Sequence, residues 1–190
     1  MAAPAVFPFP ANAAEPIQEN YGYLTAIQSS SDGTEQRQQL RRHPVGSVEF
    51  TYLCANESEA QALTALLYAN QDKVLAIPLW HYASPLMADA PIGATRFTQF
   101  TASIPYQDPL GLGPYILFYK TPASYELRGI ARIFTNSIWL SEPTVQNWTA
   151  ASGTKVIPVR LGRLDTSIPT TWQTSKVLTG RIKFTFDAAE

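Results

Sequence analysis

The residue types best suited to metal binding or nucleophilic chemistry are sparse in this sequence, which contains one cysteine, Cys54, and two histidines, His43 and His81. No two of them have the spacing of a zinc site, such as Cys-x-x-Cys or His-x-x-x-His. Neither a Gly-x-Ser-x-Gly motif nor a phosphate-binding loop is present. We therefore expect no metal site, no cofactor and no enzymatic activity. The two carboxylates of a glycosidase need no local spacing, so that class stays an open alternative.

Aromatic side chains offer a second kind of chemistry, the stacking of sugar rings. Trp80 and Tyr82 flank His81, and Trp139 and Trp148 lie further along the chain. These four aromatic residues are the candidates for a carbohydrate-binding surface. Aromatic residues at the end of a strand more often anchor a core or an interface, and we favour that interpretation.

A basic run contains Arg37, Arg41 and Arg42, and contact with nucleic acid is one interpretation of it. The net charge of −1 and the pI of about 6.1 provide no general attraction to a polyanion. Charged residues make up only 15% of the chain, below the usual share of about 25%. We favour a salt-bridging face between subunits, because a surface poor in charge suits a protein that packs against copies of itself.

The stretch from Asp32 to Trp80 supplies the elements that would position these residues. Tyr21–Ile27 reads as a strand, Asp32-Gly33 as a turn and Thr34–Arg42 as the return strand. Val48–Leu53 alternates apolar and polar residues, which predicts a half-buried strand. Cys54 directly follows that strand and has no adjacent base, so we predict a buried, inert thiol.

A single helix is predicted next, over about residues 57–71. Asn56 and Glu59 have the spacing of a helix-capping pair. The helix carries one stripe of residues at helical spacing, formed by Ala60, Leu63, Leu66, Leu67 and Asn70. The apolar run Val74–Trp80 then predicts a buried strand, and the two flanking strands give the helix a sheet to pack on.

The N-terminal segment is rich in proline, which predicts an extended arm. Two interpretations of this arm stay open. It lies on its own domain, or it reaches a neighbouring subunit with Phe7 and Phe9 as anchors. The segment lacks the charged start of a signal peptide, and the sequence contains no membrane-spanning run.

The second half of the sequence predicts short strands. Ala94–Ile104 alternates, and the glycine- and proline-containing stretch Tyr106–Pro114 favours a turn. Further strands are predicted over Tyr115–Lys120, Tyr125–Phe134, Ser137–Leu140, Lys155–Arg160 and Val177–Phe186. We expect the last of these to pair near Val48–Leu53. The chain would then form one domain from residues 1–105 and 159–190, with a small inserted barrel over residues 106–158.

The order of these motifs resembles a family of phage tail proteins. The matching residues start at Glu15-Pro16 and run through Asp32–Arg37, Leu40-Arg41, Glu59–Ala69, Ile77–Trp80, Ile138–Ser141, Trp148, Gly153–Arg160 and Leu164. The resemblance therefore spans most of the chain. The pattern departs from the family at Asn70, where an aromatic residue is more usual, and at Ser152.

This resemblance implies a distal tail protein, which joins the tail tube to the baseplate of a long-tailed phage. It implies a mainly β fold, namely a tail-tube-like β-sandwich or split barrel with one flanking helix and an inserted barrel. It further implies a virion protein, made in the host cytoplasm, that forms a hexameric ring around the DNA channel. Its partners would be copies of itself, the tail-tube protein, and the baseplate hub and tape-measure proteins, with DNA only as passing cargo and no membrane.

The candidate residues for the contact between subunits are Phe7, Phe9, Glu35, Arg37, Arg41 and Arg42. Three other functions remain as alternatives. One is a carbohydrate-binding module of the tail tip, built on the four aromatic candidates above. Another is a tail-tube or tail-terminator subunit, which the extra barrel disfavours. The third is an enzyme that degrades the cell wall or capsule, which the lack of a recognisable catalytic motif disfavours.

Overall fold

The fold is mainly β, with one α-helix and a large, open and almost entirely antiparallel sheet in the described residues. The computed structural model describes residues 4–22, 25–29, 35–39, 45–71, 73–99, 115–165, 168–174 and 176–186. The predicted turns at Asp32-Gly33 and Tyr106–Pro114 lie outside these residues.

The helix α1 spans Glu57–Ala69. Short 3-10 helices occur at Trp80–Tyr82 and Ala150–Ser152. The strands of the first half are β1 (Ala5–Val6), β2 (Gln18–Gly22), β3 (Thr25–Ser29), β4 (Glu35–Gln39), β5 (Val45–Cys54), β6 (Leu75–Pro78), β7 (Ser84–Pro85) and β8 (Arg96–Thr98). Those of the second half are β9 (Tyr115–Thr121), β10 (Ser124–Phe134), β11 (Ser137–Leu140), β12 (Lys155–Leu164), β13 (Thr170–Trp172) and β14 (Leu178–Phe186).

The main sheet has the strand order β2-β5-β14-β12-β9-β10-β11-β8. The predicted pairing of the last strand is confirmed, since Leu178 to Phe186 of β14 lie opposite Cys54 to Gly46 of β5. β12 is the central connector. Along its length it pairs with β9, β7, β6 and, through Arg163 and Leu164, with β14.

The predicted helix is confirmed, and its start follows from its cap. The Oδ1 atom of Asn56 accepts a hydrogen bond of 2.9 Å from the backbone N–H of Glu59, and the Glu59 carboxylate accepts one of 3.0 Å from the backbone N–H of Ala55. The first bond satisfies a donor that a helix N-terminus leaves without a partner, and the second holds the Glu59 carboxylate against the residue before the cap. On the predicted stripe, Ala60 and Leu63 are buried and face the core.

Three clusters of buried side chains hold the sheet together. The first lies between β5, β14, α1, β6 and the N-terminal arm. The third lies on β1, β6, β9 and β12. The second cluster contains Leu86, Ala90 and Phe97 together with Ile116 and Phe118. It therefore begins before the expected boundary at residue 106, because β8 pairs with β11 and carries Phe97 into the same core as β9.

Several strands of the structure differ in extent from the sequence prediction. The described residues of the strand predicted over Tyr21–Ile27 lie in β2 and β3, and the described part of the return strand predicted over Thr34–Arg42 is β4, Glu35–Gln39. Of the strand predicted over Ala94–Ile104, the described part forms only Arg96–Thr98. Lys155–Arg160 is confirmed as a strand and continues to Leu164.

Candidate functional site

The β3–β4 hairpin is separate from the main sheet of the described chain. Its two strands form a separate two-stranded sheet, and within the described residues they pair only with each other. The hairpin is inserted between β2 and β5, which are paired with Gly22 opposite Val45. It therefore leaves the main sheet at the Gly22–Val45 end of that pair.

Polar residues occupy almost every register position of this hairpin. Ile27 lies opposite Arg37, Ser29 opposite Glu35, and Gln28 opposite Gln36. The alternation that gives a sheet one apolar face is missing from both strand sequences. A two-stranded ribbon of this kind is marginal on its own in water. Its backbone edges and polar composition suit a contact with another protein surface.

The candidate contact residues fall into three groups in the structure. Glu35 and Arg37 lie on β4, two positions apart, opposite Ser29 and Ile27 of β3. Arg41 and Arg42 lie outside the described residues. Phe7 and Phe9 are 0% and 2% exposed, so neither ring offers a surface to another subunit.

The N-terminal arm packs on its own chain, which is the first of the two interpretations of that segment. Phe7 makes edge-to-face contacts with Phe184 at 5.2 Å and with Phe9 at 5.6 Å between ring centroids. Its backbone N–H donates to the Ala76 carbonyl oxygen over 3.0 Å. Burial of one such ring contributes about 1.5–3 kcal/mol, so the two phenylalanines fasten the arm across the first core.

A charged cluster fastens the strand from which the hairpin starts. The two carboxylate oxygens of Glu19 on β2 lie 3.2 Å from Nη1 of Arg160 and 3.1 Å from Nε2 of His81. The Arg160 guanidinium also lies over the rings of Tyr21 and Phe186, 5.7 and 5.3 Å from their centroids. β2 is an edge strand of the described sheet, so this cluster ties it to β12 and fixes the base of the hairpin.

The protonation states in this cluster favour a structural role. Partial burial alone would raise the pKa of the Glu19 carboxyl, but hydrogen bonds with His81 and Tyr21 and the charge of Arg160 outweigh that effect and hold the pKa below its usual value. Burial, and secondly the bond to Glu19, raises the pKa of Tyr21 to about 12. Glu19 therefore stays ionised and the Tyr21 phenol stays protonated at neutral pH, which makes both poor proton carriers.

Room beside Gly46 makes this cluster possible. Gly46 lies opposite Tyr21 in the sheet. A Cβ atom at Gly46 would lie 3.3 Å from Nη1 of Arg160 and 3.3 Å from the Phe186 ring. A side chain at this position would therefore crowd both the guanidinium and the Phe186 ring by a few tenths of an ångström. No motif in the sequence pointed to this cluster.

The four aromatic candidates do not form one surface. Trp148 is buried, 3% exposed, and its Nε1–H donates to Glu126 over 2.8 Å. The half-buried Trp80 packs edge-on against Tyr119, with 4.9 Å between ring centroids. Tyr82 lies in the same 3-10 helix as Trp80. Trp139 is on β11, 42% exposed, so it is the candidate among the four with the most accessible ring.

Two open grooves border helix α1. One, of about 530 Å³, lies between the helix and the segment from Leu164 to Thr170. The other, of about 330 Å³, lies between the helix, Pro8, Phe9 and the β9–β10 turn. Their linings are mixed and contain no converging set of charged groups, among the described residues, of the kind that a small-molecule site needs.

The predicted buried thiol is confirmed, since Cys54 is fully buried. Burial, and secondly the charge of Glu59, raises its pKa to about 11. Within the described part of the chain, no three His, Cys, Asp or Glu side chains cluster closely enough to hold a metal ion. No helix there is both long and apolar enough to cross a membrane.

No protein-family model matches this chain, and no curated protein sequence matches it significantly.

Proposed function

We propose that this chain is a structural subunit of the tail tip of a long-tailed phage. In this role it forms a ring of six copies that joins the tail tube to the baseplate around the DNA channel. The role is structural rather than catalytic, and its location is the virion. The resemblance of the sequence motifs to distal tail proteins supports this function, as does the combination of a mainly β chain with one helix.

One observation carries the self-assembly part of the proposal. The β3–β4 hairpin is polar at almost every position and has no further strand partner in the described chain. A ribbon with no apolar stripe in its sequence gains little by folding back on its own domain. A second copy of the chain would supply the missing partner, and repetition of one such contact around an axis closes a ring.

The surrounding structure supports a hairpin that acts as a connector. The Glu19–Arg160 ion pair ties β2 to β12, and Phe7 of the N-terminal arm packs on Phe50 of β5 in the first core. A rigid base lowers the entropy lost when the hairpin docks on a neighbour. The strands around the second cluster would correspond to the outer barrel, which is available to fibres or other baseplate proteins.

The decisive measurement is the solution mass of the purified protein by light scattering, combined with negative-stain images of the same peak. We expect rings with a central hole wide enough for duplex DNA. A second measurement tests the contact itself. Because Gly22 and Val45 are paired, a short Gly-Ser turn can join them directly and delete residues 23–44 without breaking the main sheet.

The hairpin-deleted protein should fold, with native tryptophan fluorescence, and stay monomeric. Substituting Arg41 and Arg42 by Glu should likewise impair ring formation without unfolding the subunit. Lys176→Glu, an exposed charge reversal equal to that of either arginine substitution alone, is the control on another part of the chain and should leave the rings intact. Rings that form normally without residues 23–44 contradict the proposed contact, and assemblies without a central hole contradict the proposed function.

A further inference from the structure

Three side chains form a row across the edge of the main sheet. In the register of β10, β11 and β8, Arg132 lies opposite Trp139, and Trp139 lies opposite Arg96. The neighbouring residues Ile138 and Phe97 point into the second core. The row therefore faces away from the core, since successive side chains of a strand point to opposite faces.

This row is accessible and positively charged. Arg96 and Arg132 are exposed, and Trp139 is 42% exposed. The Arg96 guanidinium lies over the Trp139 ring, 5.8 Å from its centroid, which is within the range of a cation–π contact. Phe134 lies next to Trp139, with 6.0 Å between ring centroids.

Neither arginine of the row forms an ion pair with a carboxylate within the described part of the chain. Other arginines do, as Arg128 with Glu126 and Arg181 with Glu49 show. The chain as a whole carries a net charge of −1, so the positive charge of the row is a local feature. Both guanidinium groups can therefore bind an external anion. Because they lie next to an exposed indole, they indicate a site for an anionic ligand.

We infer that the Arg96–Trp139–Arg132 row binds an acidic polysaccharide with a carboxylate on every second sugar. Adjacent strands are about 4.8 Å apart, so the two arginine backbones are about 10 Å apart. A carboxylate on alternate sugars of an extended polysaccharide recurs at a similar distance. Each guanidinium can then bind one carboxylate in bidentate fashion, while the intervening sugar packs its C–H groups on Trp139.

The same geometry disfavours single-stranded nucleic acid. A nucleic-acid groove combines a longer basic track with several aromatic rings on which successive bases stack. The row offers two arginines, with backbones about 10 Å apart, and a single indole between them. The pI of about 6.1 adds no wider positive field that would attract a phosphate backbone.

This inference does not depend on ring formation. The row lies on β8, β10 and β11, whereas the proposed subunit contact lies on the β3–β4 hairpin. Binding to a monomeric, hairpin-deleted protein can therefore be measured separately from assembly.

The test is calorimetric titration of the full chain with hyaluronan oligosaccharides, which carry a carboxylate on alternate sugars. Chito-oligosaccharides of the same length are the uncharged ligand, and a single-stranded oligonucleotide is the competing polyanion. Arg96→Gln, Arg132→Gln and Trp139→Ala each remove one member of the row. Arg181→Gln and Trp172→Ala are the matched controls, since Trp172 is 54% exposed on β13.

We expect each row variant to bind hyaluronan oligosaccharide about tenfold more weakly or worse, with both controls unchanged. The affinity should fall as salt rises. Three results would overturn the inference: no binding of the acidic oligosaccharide, equal binding of the neutral one, or tighter binding of the oligonucleotide at the same salt concentration. Native thermal melts of every variant exclude unfolding as the cause of a loss, and Trp139→Phe provides a second, conservative change at the ring.

Discussion

Tyr52 of β5 lies directly opposite Gly180 of β14, and its ring occupies the space that a side chain at Gly180 would take. A Cβ atom there would lie 2.6 Å from Cζ of Tyr52 and 2.8 Å from the Pro169 carbonyl oxygen. Backbone on one side and a buried ring on the other leave nothing flexible to move aside. The pair therefore adds one shape-specific contact to the pairing of β5 with β14.

Gly180→Ala should lower the free energy of unfolding by about 1–3 kcal/mol, because overpacking forces the ring or the strand to shift. Chemical denaturation monitored by tryptophan fluorescence measures this change. Gly22→Ala is the matched control, since the nearest atom to its Cβ would be the Val45 carbonyl oxygen at 3.6 Å. Its effect should stay within about 0.5 kcal/mol.

Tyr52→Phe tests the same contact from the other side. The Tyr52 hydroxyl is buried, and no described residue supplies it with a hydrogen-bond partner. Burial raises the pKa of this phenol to about 12, so it is neutral under ordinary conditions. Removal of the hydroxyl should leave the free energy of unfolding unchanged or should raise it. Gly180→Ala should then lower the free energy of unfolding less in the Tyr52→Phe variant than in the wild type. If the effects of the two substitutions simply add, the contact is contradicted.

Glu19→Gln should destabilise the protein at neutral pH by up to about 3 kcal/mol, because it leaves the buried Arg160 guanidinium without its carboxylate. The effect depends on pH with a definite sign. The folded-state pKa of Glu19 lies below the ordinary value of 4.5, so its contribution is complete above that value and is lost as the pH falls through the lowered pKa.

The unfolding free energies of wild type and Glu19→Gln should therefore differ most at about pH 7 and less at an acidic pH below 4.5. Glu15→Gln is the control for a carboxylate change in the same segment, since the exposed Glu15 carboxylate accepts a 2.6 Å hydrogen bond from Thr51 Oγ1. If the difference in unfolding free energy between wild type and variant is the same at both pH values, the Glu19 charge contributes nothing to stability.

Glu126 organises the loop after β11, and its loss should be costly. Its carboxylate accepts four hydrogen bonds: from Arg128 Nε at 2.7 Å, the Val145 N–H at 2.7 Å, the Gln146 N–H at 3.2 Å and Trp148 Nε1 at 2.8 Å. A glutamine has one acceptor oxygen, and its NH₂ group would face donors. Glu126→Gln should lower the free energy of unfolding by about 1–3 kcal/mol.

Near-ultraviolet circular dichroism and fluorescence should report a changed environment for Trp148 in that variant. Glu142→Gln is the matched control, because Glu142 is 74% exposed and lies 3.8 Å from the same arginine. Equal stability of the two variants would mean that the loop is held by its apolar contacts alone.

Local patterns in the sequence predicted the elements that depend on local physics. Alternation predicted β5 and β14, and the Asn56–Glu59 spacing predicted the start of α1. The extension of β12 from Arg160 to Leu164 was not predicted, because it depends on non-local pairing with β6 and β14. That strand persists because β9 and β6 pair with it on both sides.

The candidate site was predicted less well, since its contacts are non-local. Glu19 meets His81 from 62 positions away and Arg160 from 141 positions away, a separation over which no spacing motif operates. The alternation Ile138-Trp139-Leu140 did contain a usable signal, because it places Trp139 on the face opposite two buried residues. Trp148 instead follows a loop, and its hydrogen bond to Glu126 has no local signature.

The reactivity of Cys54 provides a direct measure of how firmly β5 and β14 hold together. Cys54 lies opposite Leu178, two residues from Gly180, and is fully buried. Because burial raises its pKa to about 11, the thiol is protonated at neutral pH, and a thiol reagent should react only through transient opening of the strand pair.

We expect labelling of Cys54 in the native protein to be far slower than labelling in denaturant. Gly180→Ala should speed it by about tenfold for each 1.4 kcal/mol of opening free energy lost, while Gly22→Ala leaves the rate unchanged. Labelling of the native wild type at the rate of the unfolded chain would contradict the burial of the thiol and the tight β5–β14 pairing together.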